Sequence, residues 1–219
     1  MANLNYQNPD EARREAVAGW RQKIFGVSRA DAWSALAREI DARFEEGGWW
    51  KRPRVVADVG HWQLTLDVYH TGGENSSTYT RLRAPFHNPS GFRFHVYRAS
   101  IFTGLGKLLG MQDVEIGEAG FDEDFVVRSN DEATVRAMLA SPEIRRLLTA
   151  QPRVMFQVKD DEGWFGPDFP PGVDELHFLA LGVIKDVDRL KRLFELFSQT
   201  LYQLVEMKVA LAVPARVKF

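Results

Sequence analysis

Tyrosines, arginines and one histidine alternate along three stretches of the chain. They are Tyr69, then Tyr79, Arg81 and Arg83, then Arg93, His95 and Tyr97. Side chains two apart on a strand share a face, so strands through these stretches place the whole set on one side of a sheet. Guanidinium groups grip carboxylates and phosphates through paired hydrogen bonds and stack on flat rings. The set therefore suits a planar anion, and single-stranded nucleic acid is held by the same chemistry. The competing reading is a solvated sheet face with Tyr–Arg cross-strand pairs. An enzyme at this face needs an acid or base among the arginines, and His95 and Asp67 are the residues on offer.

Three other constellations carry residue types that could do chemistry. Trp164 opens an aromatic loop stiffened by Pro167, Pro170 and Pro171; it suits either a ligand clamp at low entropic cost or a plug at the sheet end. Asp113, Glu115, Glu118, Asp122, Glu123 and Asp124 offer oxygen ligands for calcium or magnesium, but the spacing is not that of an EF-hand loop, and a solvated acidic turn is favoured. His61, His70, His87, His95 and His177 form no i, i+4 pair of the metal-binding kind. There is no Gly-x-Ser-x-Gly elbow and no P-loop. The glycines at 104, 106 and 110 do not have dinucleotide-fingerprint spacing. No cofactor or metal is expected.

The chain of 219 residues contains no cysteine. Disulfides, thiol catalysis and thiolate-bound metal are thereby removed, and the protein is expected in the cytoplasm. A net charge of −2 gives nucleic-acid binding no global support. No apolar run approaches the roughly twenty residues a membrane span needs.

The scaffold for these residues reads as α+β. Asn8-Pro9-Asp10-Glu11 starts one helix, carrying Val17, Trp20 and Ile24. Ser28 starts a second, in which Trp33, Leu36, Ala37, Ile40 and Phe44 keep helical spacing. This hairpin over residues 1–48 is expected as a lid, with an arm for a partner as the alternative. Trp49 and Trp50 tuck beneath it. Alternation predicts strands at Val55–Asp58, His61–His70, Thr78–Ala84 and Phe92–Tyr97, joined as an antiparallel meander. A flexible turn follows His70, and a short helix is expected at Ile101–Leu109. Strands through Val154–Val158 and Leu176–Ala180 come later, and Asp186 caps a final helix over about residues 187–208.

Residues 110–150 are the hub where strand periodicity becomes helix periodicity. Phe121–Arg128 predicts a strand, and Ser129 with Glu132 a capping box for a helix carrying Val135, Met138 and Leu139. Ser141-Pro142-Glu143 starts another, with Ile144, Leu147 and Leu148 as its apolar stripe. The run Phe121-Asp122-x-x-Phe125-Val126-Val127-x-Ser129-x-Asp131 resembles an uncharacterised bacterial family of unknown function with a Phe-Asp-x-x-Phe-Val-Val strand–helix motif. That resemblance carries no catalytic residue with it.

The expected architecture is a single α+β domain over 1–219: a mainly antiparallel sheet of about seven or eight strands, covered on one side by the hub helices and the long C-terminal helix. In that last helix Leu196 and Met207 extend the apolar arc beyond one sheet contact, so either the hairpin or a second subunit must cover them. The favoured function is a non-enzymatic binding or interaction module for an anionic small molecule or a protein partner, as a monomer or homodimer. The alternative is an enzyme acting on an anionic small molecule at the Arg/Tyr/His face.

Overall fold

Alternating apolar residues meet across registered strand pairs, and this builds one sheet. A computed structural model describes residues 27–48, 52–72, 76–101, 111–160, 169–215 and 217. The strands are β1 (Arg43–Glu45), β2 (Arg54–Val59), β3 (Trp62–His70), β4 (Thr78–His87), β5 (Phe94–Arg98), β6 (Gln112–Asp113), β7 (Phe125–Ser129), β8 (Met155–Lys159) and β9 (Val173–Leu181). They form a nine-stranded sheet in the order β1-β2-β3-β4-β9-β8-β5-β7-β6, with every named pair antiparallel. The expected α+β class holds, but the meander does not continue from β4 to β5. The β8–β9 hairpin lies between them, because β4 and β5 each present a hydrogen-bonding edge that β9 and β8 fill.

The helices are α1 (Arg29–Glu39), α2 (Ala119–Asp124), α3 (Glu132–Leu139), α4 (Pro142–Thr149) and α5 (Val187–Glu206). Leu64, Leu66, Leu82, Phe86, Phe156, Val158, Leu176 and Phe178 form the apolar sheet face and are fully buried in the core. Phe197 of α5 lies 5.5 Å from Phe156. Burying each such side chain stabilises the fold by roughly 1.5–3 kcal/mol. Leu196 is fully buried and Met207 is half-buried against the core. Helix α1 packs on α5 and β2, and Trp33 donates its indole N–H to the Ile184 carbonyl at 3.0 Å.

Several boundaries differ from the sequence expectation. Helix α1 stops at Glu39 because Asp41 takes a positive φ of 52°. Phe44 then lies in β1 opposite Val55 rather than on a helix. Strand β4 runs through Pro85, which falls past the last β3 pair, Thr65 with Arg83, so only β9 flanks it there and the missing N–H disturbs no β3 ladder. Residues 121–124 are helical rather than extended: the Asp122 carboxylate accepts from the backbone N–H groups of Ile116, Gly117 and Glu118. Phe121 stacks on Phe125 at 4.5 Å, an i, i+4 contact. The cap of α3 is Asp131, accepting from Thr134 N–H at 3.0 Å, and not Ser129. Ser129 ends β7, donates to the Arg93 carbonyl and accepts from Asp131 N–H. The capping roles of Asp186 and Ser141 hold. The first helix of the hairpin, Trp49 and Trp50, residues 73–75 of the turn after His70 and most of the Ile101–Leu109 helix lie outside the described residues.

Candidate functional site: the second face of the sheet

Because β3, β4, β9, β8, β5 and β7 pair in register, their second faces line up. Asp67 lies opposite Arg81 and Thr65 opposite Arg83. Arg83 is opposite His177, and Arg81 opposite Leu179. Gln157 sits between His177 and His95, and His95 is opposite Arg128. Tyr69, Tyr79, Arg81, Arg83, His95 and Tyr97 therefore share one face, as their spacing predicts. The face is not solvated, however. Arg83 is 3% exposed, Gln157 5%, His177 3%, His95 8% and Glu175 0%.

The arginines are committed to partners. Arg81 binds Asp67 with both prongs, Nε to Oδ1 and an Nη to Oδ2, each at 2.8 Å. Arg83 reaches the same Oδ2 at 2.7 Å. Arg81 also stacks over the Tyr69 ring at 5.2 Å. Arg93 lies just before β5 and pairs with Asp160 at 2.5 Å. Two strands separate it from β4, a distance of about 14 Å at the usual strand spacing. Arg81, Arg83 and Arg93 thus do not converge on one anion.

The two histidines of this face are held neutral. Burial first, then the charges of Arg128 and Lys159, lower His95 to about 4. Burial also lowers His177 well below its usual value, helped by Lys159, Arg81, Arg83 and His95. His177 Nδ1 lies 3.4 Å from the Gln157 amide. Among the described residues, His95 Nδ1 has no hydrogen-bond partner. Burial raises the Tyr97 hydroxyl.

At one end of this face the polar row gives way to a cleft of about 520 Å³. Its walls include Tyr69, Tyr79, Tyr97, Met155, Leu179 and Leu181, and Arg153 sits among them. The tyrosines 69 and 79 lie with ring centres 6.4 Å apart, tilted by 45°. Tyr69 is 38% exposed and Leu181 50%, so the cleft keeps apolar surface in reach of solvent. Three of the expected site residues, Tyr69, Tyr97 and the neighbouring Tyr79, line it, whereas Arg81, Arg83, Arg93 and His95 do not. Trp164 lies outside the described residues. Sequence reasoning missed Arg153, Met155, Leu179 and Leu181. For Leu179 and Leu181 the signal was the phase of β9, in which 175, 177, 179 and 181 oppose the core set, and for Arg153 and Met155 it was the phase opposite Val154, Phe156 and Val158; without the strand order, nothing tied those phases to the tyrosines.

The acidic turn resolves into local pairs. Asp113 binds Arg128 at 2.6 Å, Glu118 binds Arg145 at 3.1 Å and Asp124 binds Arg98 at 2.5 Å. Among the described residues, no three His, Asp or Glu side chains gather in a way that could hold a metal ion. Among them, no helix is long and apolar enough to cross a membrane.

No family model matches the chain, and no curated protein matches it. Among solved structures, the crystal structure of the mycobacterial trehalose monomycolate transport factor A, TtfA, is similar with a TM-score of 0.49 at 10% identity, covering 86% of this chain and 97% of that one. A likeness at that level carries no statement about ligand or activity.

Proposed function

We propose that the protein is a non-enzymatic binding module whose small-molecule ligand occupies the tyrosine cleft. The observation that carries this reading is the cleft itself: about 520 Å³, walled by three tyrosines, Met155, Leu179 and Leu181. Small-molecule sites are concave, mostly apolar and roughly 300–1,000 Å³ in size. The alternative, an enzyme at the Arg/Tyr/His face, has less support. Among the described residues, neither a carboxylate nor an imidazole lines the cleft, and general acid–base catalysis needs such a group within hydrogen-bond reach of the substrate. Arg81 and Arg83 are engaged by Asp67. A cytoplasmic location is supported by the lack of cysteine, and kinship with the bacterial family that the hub resembles by the Phe121–Asp131 run.

The test uses N-phenyl-1-naphthylamine, a neutral probe that brightens in apolar sites. Saturable binding to the wild type is expected, weakened at least about tenfold in Leu179→Glu, where a carboxylate stands in the apolar wall. Lack of saturable binding, or binding indifferent to Leu179→Glu, overturns the reading.

A further inference from the structure

Resting on that reading of the cleft, we infer that its occupant is a small organic anion: an aromatic or aliphatic body against Tyr69, Tyr79 and Leu179, with a carboxylate-type head on Arg153. Arg153 lines the cleft and is exposed. Among the described residues, it takes part in no ion pair or hydrogen bond. Arg81 behind the cleft is clamped by Asp67, and there two guanidinium groups share one carboxylate. Among the described residues that line the cleft, Arg153 is the one charged side chain, and no carboxylate stands there to neutralise it. A cationic ligand is repelled here, and a neutral one leaves the Arg153 guanidinium without a counter-charge. An organic acid satisfies both surfaces at once: its body removes apolar wall from water, and its head accepts charge-assisted hydrogen bonds at the rim.

The inference is tested with two fluorescent probes of similar shape. Anilinonaphthalene sulfonate carries an anionic head, for which its sulfonate stands in for a carboxylate; N-phenyl-1-naphthylamine has none. In Arg153→Gln, sulfonate affinity is expected to fall about tenfold, the size of one charge-assisted contact, while the neutral probe changes by less than about twofold. Monomeric decanoate should displace the sulfonate at lower concentration than decanol, and added salt should weaken only the anionic probe. If Arg153→Gln leaves sulfonate binding unchanged while Leu179→Glu still weakens the neutral probe, the anion assignment is wrong and the cleft reading stands. If neither probe binds the wild type, the cleft reading itself is wrong. If phosphatidylglycerol vesicles displace the sulfonate and monomeric decanoate does not, the head belongs to a lipid surface, and the free organic acid is refuted.

Discussion

Asp67→Ala is the perturbation on which the account of the arginine row stands or falls. Asp67 is the single carboxylate that binds both Arg81 and Arg83, through bonds of 2.7 to 2.8 Å. The side chains are 13% exposed for Asp67, 14% for Arg81 and 4% for Arg83. An exposed pair contributes about 0–1 kcal/mol, whereas removing one partner from a buried pair costs about 3–5 kcal/mol, because the remaining charge stays buried. The exposures put this cluster at the buried end. Arg81 and Arg83 keep further contacts, so the lower part of that range applies, about 3 kcal/mol. For a chain of this size each kcal/mol moves Tm by roughly 2–4 °C, giving an expected fall of about 6–12 °C by calorimetry. A fall below about 2 °C would show that the clamp behaves as a surface pair, and the claim that these arginines are structural rather than ligand-binding would be refuted.

The histidines give a pH prediction. Both have folded values below the unfolded 6.5, so the unfolded chain takes up the extra proton first, and stability present above pH 6.5 is lost as pH falls toward the folded values. For His95, with a folded value of about 4, the loss reaches about 2 kcal/mol by pH 5. Urea midpoints at pH 7 and pH 5 should therefore differ less in His95→Gln than in wild type; an unchanged difference would place that acid sensitivity elsewhere. Gly60 has φ +57°, and a Cβ there would lie 2.6 Å from the Tyr202 hydroxyl oxygen. Gly60→Ala should cost about 1–2 kcal/mol by thermal melts, and Tyr202→Phe alongside it should return part of that.

The local pieces of this fold were legible because each rests on near neighbours. Asp186, Ser141 and Ser28 cap helices from within three residues, and β3 shows its alternation over an unbroken run. What escaped was set by side-chain contacts that periodicity does not record, some local and some far along the chain. Phe121 looks like the start of a strand until its stacking on Phe125 and the carboxylate of Asp122 are seen. Arg93 looks like a neighbour of Arg83 until β9 and β8 are placed between them. The cleft was half visible: Tyr69, Tyr79 and Tyr97 were in hand, but Arg153 and Leu179 join them only through the register of Met155 with Leu179 and with Tyr97. The burial of the polar face had no sequence signal, since Arg83, Glu175 and His177 are residue types that normally remain exposed or only partly buried.

The insertion of β8 and β9 between β4 and β5 also dictates an order of assembly on the ribosome. Thr80 pairs with Ala180, and Val96 with Phe156. Strands β1 to β4 emerge early, carrying Leu82, Ala84 and Phe86 on an edge whose partner has yet to be synthesised. An open, apolar strand edge invites pairing with other chains, and contacts so distant in sequence form slowly. The nascent protein therefore carries its greatest aggregation hazard between the synthesis of β4 and that of β9, with α5 sealing the apolar face last.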